Sequence, residues 1–236
     1  MADLGLDASF FATACAEALS VSRKWQTEQQ RSESLFAALL DFHSRLRLLN
    51  GRGSVAVAEL SAFGAGSGLE DVPTLLRMRH VKGVENLMSA LRASCERFEN
   101  HHRSMAEVHA SMWERHAMAE DAAAERAGKT KEGDSGGPLN LGFDAPAWSV
   151  VGAGRGLDAQ RVLLPPVESC IEWVGELDRQ YTAELLLKLE LIDSIDLSLI
   201  GAEDLHGVYE LWMLQPGLKP QSLERLRVVV ESLTVP

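Results

Sequence analysis

Residues 11–49 read FATACAEALSVSRKWQTEQQRSESLFAALLDFHSRLRLL, a run without one glycine or proline. Alternating steps of three and four visit Phe11, Ala14, Ala18, Val21, Trp25, Glu28, Ser32, Leu35, Leu39, Phe42, Leu46 and Leu49, and on that ladder only Glu28 and Ser32 are polar. This is the spacing of a helix with one continuous apolar seam. At about 1.5 Å per residue such a helix is roughly 60 Å long. A stripe of that length cannot bury itself, so the ladder predicts helical partners and an assembly subunit rather than an enzyme.

Outward from this helix the period recurs. Asn50-Gly51-Arg52-Gly53 is expected to end the first helix, because glycine supplies a C-terminal cap and breaks the apolar period. A loop rich in glycine, serine and alanine is then expected to Gly68, and Glu70-Asp71-Val72-Pro73 reads as an extended or turn segment, since the residue before proline is pushed out of the α region. Val84, Leu87, Leu91, Cys95, Phe98, Met105, Val108 and Met112 mark a second long helix from about His80 to Arg126. Pro165-Pro166 opens a third, with Val167, Cys170, Val174, Leu177, Tyr181, Leu185, Lys188, Ile192 and Ile195 on one face. Two shorter helices are expected to follow, one from about Ala202 to Leu214 that stops before Pro216-Gly217, and one from near Pro220. No segment alternates with period two.

The expected fold is therefore all-α: long antiparallel coiled-coil-like helices in an elongated bundle, with short C-terminal helices and a disordered glycine-rich linker. Residues 1–127 form an N-terminal long-helix hairpin, 128–164 a flexible linker, and 165–236 a C-terminal helical segment that packs on the hairpin.

Charge narrows the partners. The 236-residue chain carries 23 Lys and Arg against 34 Asp and Glu, a net charge of −11. Residues 165–236 hold 13 of the acidic residues and only 5 basic ones. Direct binding to a phosphate backbone is disfavoured, and a basic protein surface is the natural partner. Cys15, Cys95 and Cys170 lie far apart without metal-ligand or disulfide spacing and read as core residues. Neither a leader-like N-terminus nor a bilayer-length apolar run is seen, so a soluble protein of cytoplasm and nucleus is expected.

Other motifs invite chemistry. Gly133-Asp134-Ser135-Gly136-Gly137-Pro138 matches the signature around the nucleophile of trypsin-like proteases, but that chemistry needs a histidine base, an orienting Asp and an oxyanion hole on a β-barrel frame. Gly152-Ala153-Gly154-Arg155-Gly156 lacks the glycine spacing and the βαβ context of a dinucleotide loop. His102, His109 and His116 are seven residues apart, about 10.5 Å along a helix, too far to share a metal. No catalytic, cofactor or metal residues are assigned. A serine hydrolase using Ser135 is a rival reading that labelling by a fluorophosphonate would reveal.

Two stretches carry a resemblance. Glu172-Trp173-Val174-Gly175-Glu176-Leu177-Asp178-Arg179-Gln180-Tyr181, continuing through Leu185, Lys188 and Leu191-Ile192-Asp193-Ser194-Ile195, resembles the C-terminal signature of the AAA-ATPase-interacting ribosome maturation factor family, also described as the casein kinase 2 substrate family. Glu70, Asp71, Val72 and Pro73, with the helix that carries Leu87, Leu91, Met105 and Trp113, resemble that family's central segment, and Trp212 falls where the family places a tryptophan. Together the matches cover about half of the chain. The chain departs from the vertebrate members after Tyr181, where they are rich in basic residues and this one is leucine-rich.

The resemblance implies a non-enzymatic adaptor without cofactors. It would pair with another helical coiled-coil subunit, dock on a two-ring AAA ATPase, and act on pre-ribosomal proteins in cytoplasmic maturation of the large ribosomal subunit, with a further tie to replisome protein turnover. Trp173, Leu177, Tyr181, Leu185 and Ile192 would form a packed seam, either within the core or with the partner. Ser67, with Glu70 and Asp71 at the third and fourth following positions, suits an acid-directed kinase such as casein kinase 2. The rival from a different class is a structural coiled-coil subunit of a tethering or cytoskeletal complex.

Overall fold

The structure, a computed structural model, describes residues 3–64, 72–131, 166–196 and 200–234, with side chains for 9–48, 74–125, 166–196, 200–201 and 203–232. The fold is all-α. In chain order the helices are α1 (Asp3–Gly64), α2 (Val72–Lys131), α3 (Val167–Ser194), α4 (Ala202–Leu214) and α5 (Pro220–Thr234), and no strand occurs among the described residues. None of the helices is long and apolar enough to cross a membrane among the described residues.

The last three helices start and stop at the expected punctuation, but three boundaries differ: the end of α1, the start of α2, and the end of α2, which runs to Lys131 rather than Arg126 and so takes in the first residues of the expected linker, the rest of which lies outside the described residues. α1 runs through Gly51 and Gly53 to Gly64. An interior glycine costs a helix only about 1 kcal/mol relative to alanine, and the alanines, Glu59 and Leu60 that follow favour helix, so two glycines without a proline do not stop it. α2 begins at Val72 rather than near His80. Pro73 sits in its first turn, where the missing N–H has no intrahelical partner to lose, and the proline that suggested an extended segment opens a helix instead. Glu70, Asp71 and Ser67 lie outside the described residues, as do the two glycine motifs at 133–138 and 152–156; of Val72 and Pro73 only the backbone is described.

The chain divides into two compact units. The first comprises Met1–Ser22, Arg103–Gln180 and Lys219–Pro236, and the second Arg23–His102 and Tyr181–Leu218. In the first unit the ladder of α1 buries Phe11, Ala14, Ala18 and Val21 in a core with Met105 and Met112 of α2, Val174 and Leu177 of α3, and Leu226 and Val229 of α5. In the second it buries Trp25 and Leu39 in a core with Leu91 and Phe98 of α2, Tyr181, Leu185 and Ile192 of α3, and Leu205 and Trp212 of α4. From Phe11 to Leu39 most of the stripe that a lone helix could not cover is thus covered by the chain's own α2 to α5, while Phe42 and Leu46 are half-buried and the side chain of Leu49 lies outside the described residues. Large exposed apolar residues lie elsewhere, among them Leu75 and Met78 on α2, Leu186 on α3 and Leu214 on α4.

Candidate functional site

The two polar steps of the ladder mark the most organised part of the second unit. Glu28, 6% exposed, accepts a hydrogen bond from Ser94 Oγ and pairs with Arg97 at 2.8 Å. Burial pushes the Glu28 carboxyl up, but Arg97 and Ser94 outweigh it and hold it below the usual carboxylate range. Ser32, fully buried, accepts from Trp212 Nε1 at 2.9 Å and donates to the Gln29 carbonyl at 2.8 Å. An indole N–H buried without an acceptor would cost about 1–3 kcal/mol. Ser32 is therefore a socket, and a leucine at that step would orphan Trp212.

Around Trp212 the rings close up. Trp25 stacks on Tyr181 with centroids 4.5 Å apart at 13° and meets Phe98 at 4.6 Å. Phe36 and Phe98 flank Trp212 at 5.6 and 6.3 Å. Between the Phe98 and Trp212 faces lies Lys188, whose Nζ is 5.2 Å from the first centroid and 4.3 Å from the second. Lys188 and Glu184 are both fully buried and their charged atoms are 3.1 Å apart. Burial lowers the Lys188 pKa, opposed by the Glu184 carboxylate one helical turn away.

The position of this cation has a backbone cause. α4 has no basic residue in its last turn, and the final carbonyls of a helix lack intrahelical N–H donors. Lys188 Nζ donates to the Trp212 carbonyl at 3.3 Å, and Gln29 Nε2 donates to the same oxygen at 3.0 Å. α3 thus supplies, through Lys188, the C-terminal charge that α4 does not carry itself, and α1 adds a neutral donor through Gln29. Glu184 also accepts from the Gly217 N–H at 3.2 Å, just beyond Gln215, whose left-handed φ of 43° ends the helix. With its amine enclosed, Lys188 acts as a clamp on α4.

Of the expected seam residues, Leu177, Tyr181, Leu185 and Ile192 are core residues of this chain, as is Trp212, while Trp173 is half-buried. Tyr181, Leu185 and Ile192 belong to the second unit; Trp173 and Leu177 belong to the first. Glu184, outside that expected seam, is interior as well. Its signal was available, because a Glu four residues before a lone Lys on an apolar face is a ready-made pair.

In the first unit α2 and α3 meet through histidines. His109 Nδ1 is 3.5 Å from Asp178 Oδ2, its Nε2 accepts from Trp113 Nε1 at 3.0 Å, and His116 Nε2 is 3.4 Å from Glu168. Gly175 makes the approach possible: a Cβ there would lie 2.6 Å from His109 Nε2. In the second unit His102 Nε2 shares a hydrogen bond with Thr182 Oγ1 at 2.8 Å. Among the described residues no group of three or more His, Cys, Asp or Glu side chains is placed to hold a metal ion. Cys15 and Cys170, both buried in the first unit, share a thiol hydrogen bond that lowers the Cys170 pKa and raises that of Cys15.

No protein-family model matches this chain, and no curated protein matches its sequence.

Proposed function

We propose that this chain is a non-catalytic adaptor subunit of an AAA-ATPase complex acting in cytoplasmic maturation of the large ribosomal subunit, paired there with a second helical subunit and working in cytoplasm and nucleus. One observation carries the reading. Two pieces of the resemblance, the stretch from Tyr181 to Ile195 and Trp212, meet in the second unit: Lys188 lies over the Trp212 ring and pairs with Glu184, and Tyr181 stacks on Trp25 in the same core, while residues 172–180 belong to the first unit. A likeness made of unrelated short matches has no reason to converge on one set of contacts.

Two further features favour an adaptor. The seam is internal, so the long helices are a finished frame whose partners must use the outside. That outside carries exposed Leu, Met, Val and Trp side chains in a chain of net charge −11. Such surfaces suit recognition with electrostatic choice of partner.

The test is mass spectrometry of proteins that co-purify with the tagged chain at native abundance. Enrichment of a two-ring AAA ATPase together with pre-ribosomal proteins is the expected outcome. Vesicle or microtubule components in their place would transfer the chain to the tethering or cytoskeletal class.

A further inference from the structure

We infer that the outer face of α4 is a docking surface for a basic amphipathic helix, one that lays its backbone across Gly207 and its cations against Glu203, Glu210 and Asp41. Leu205 and Trp212 are the fully buried side of α4. On the opposite side, at steps of four, three and four, stand Glu203, Gly207, Glu210 and Leu214. Leu214 is 70% exposed, with Leu211 at 44% and Met213 at 41% beside it. Leu214 on the outer face, flanked on its two sides by Leu211 and Met213, needs a cover that the described residues do not provide.

The glycine is an independent pointer. In a helix interior it costs about 1 kcal/mol against alanine, so it is expected where something must come close. At Gly175 that something is His109, but a Cβ on Gly207 would meet nothing within 4 Å. None of the described residues asks for a glycine there. On the outer face it leaves a flat step over which another backbone can pass.

Charge selects the occupant. From Tyr181 to Leu218 the only Lys or Arg is Lys188, which is buried, whereas Glu190, Asp193, Glu203, Asp204 and Glu210 are all exposed. A groove of about 440 Å³ at the start of α4 is walled by Leu40, Asp41, Ser44, Glu203 and His206, so carboxylates stand on both sides of it. Asp41 already pairs with Arg45 at 2.8 Å and Glu210 lies 3.4 Å from His206, so the face remains acidic through Glu203, Asp204 and Glu210; it would repel an acidic helix and gain least from an uncharged one. A lysine- or arginine-rich helix with leucine-type anchors satisfies both ends of α4. This goes beyond the adaptor reading, which it uses only to suggest that a basic ribosomal protein supplies the helix.

The test is fluorescence anisotropy of the full-length chain with two labelled synthetic helical peptides, one patterned with leucine and lysine and the other with glutamate in place of lysine. The lysine peptide should bind and the glutamate peptide should not. Gly207→Leu, built into open space, should leave circular dichroism and melting unchanged while weakening the lysine peptide by about tenfold or more, equivalent to about 1.4 kcal/mol. Glu203→Lys with Glu210→Lys should reverse the preference between peptides. Failure of the lysine peptide to bind, equal binding of both peptides, or binding indifferent to both variants would overturn the proposal. So would loss of a homodimer on Gly207→Leu, which would make a second copy the occupant. Recovery of the ATPase with the Gly207→Leu chain bears on the adaptor reading alone, so the two can fail separately.

Discussion

The two units solve the same packing problem with different chemistry. The first is closed mainly by aliphatic, small and sulfur-containing side chains together with Phe11; its buried polar side chains are the neutral Ser22, Gln180 and Ser222, and its charged groups stay nearer solvent, as in the histidine–carboxylate contacts of α2 with α3. The second has a fully buried ion pair, an indole held by a serine, and a ring of aromatics. Aliphatic packing tolerates slippage, whereas a hydrogen-bonded interior has one register. The comparison teaches that α4, a helix of 13 residues too short to be stable alone, is positioned by polar contacts as much as by burial.

The most direct way to break the comparison is to leave a charge alone in the second unit. Lys188→Ala strands Glu184 and should cost about 3–5 kcal/mol, a large part of the stability of an ordinary domain. Lys188→Met together with Glu184→Leu should recover most of that loss, because a buried pair replaced by apolar residues is often neutral. Denaturation followed by tryptophan fluorescence checks both. If Lys188→Ala melts like the unaltered chain, the pair is not what fixes α4. Tyr181→Asp belongs with this group: it would bury a carboxylate against Trp25, so a partner lost by that variant would report unfolding, whereas one lost by Gly207→Leu would report docking.

A finer cut is Trp212→Phe, which keeps a ring between Phe36 and Phe98 but removes the N–H that Ser32 accepts. The expected loss is about 1–3 kcal/mol, and Ser32→Ala should cost less in the Trp212→Phe background than alone. In the first unit the matching change is Gly175→Ala. Its methyl would displace His109 from Asp178 and from the Trp113 N–H, at about 1–3 kcal/mol for overpacking. Amide exchange would show which unit each substitution loosens: Trp212→Phe the second, Gly175→Ala the first.

These tests separate what the sequence discloses from what it hides. The ladder from Phe11 displayed the buried face of α1, and the same period in α2 and α3 displayed theirs, because a helix writes its inner face into its spacing. Spacing does not say what meets that face. Hence the stripe could not tell an internal cover from a foreign one, and Glu28 and Ser32 looked like faults when they are sockets for Ser94, Arg97 and Trp212. The spacing of Glu184 and Lys188 showed a pair but not its burial, because a charged residue looks alike on a solvated face and in an interior until its tertiary surroundings are known. Boundaries failed where local rules compete, at Gly51 and Gly53, which a long helix absorbed, and at Pro73, which starts a helix as readily as it breaks one. Gly207 carries no sequence signal beyond its mild helix penalty, since its meaning lies in the emptiness around it.

The smallest expected effect is an order of events on acidification. Burial lowers the pKa of His43 and His101 in the second unit below the usual 6.5, with Arg47 adding to the effect at His43. The folded state therefore favours the neutral imidazoles, and their contribution is present above about pH 6.5 and lost as the pH falls through their lower folded values. In the first unit Glu176 accepts hydrogen bonds from Gln180 and Arg179, with Lys219 beside it, which lowers its carboxyl from 4.5 to about 2. That contribution is whole above about pH 4.5 and fades only as the pH falls towards 2, and because the carboxylate is partly open to solvent the effect is modest. Amide protection factors in the second unit, corrected for the intrinsic pH dependence of exchange, should accordingly fall between pH 7 and 5 while those of the first unit hold, and Glu176→Gln should flatten the response of the first unit below pH 4.5 without touching the second. If both units lose protection together above pH 5, the division of labour between buried histidines and the Glu176 cluster is wrong, and acid acts on some group that both units share.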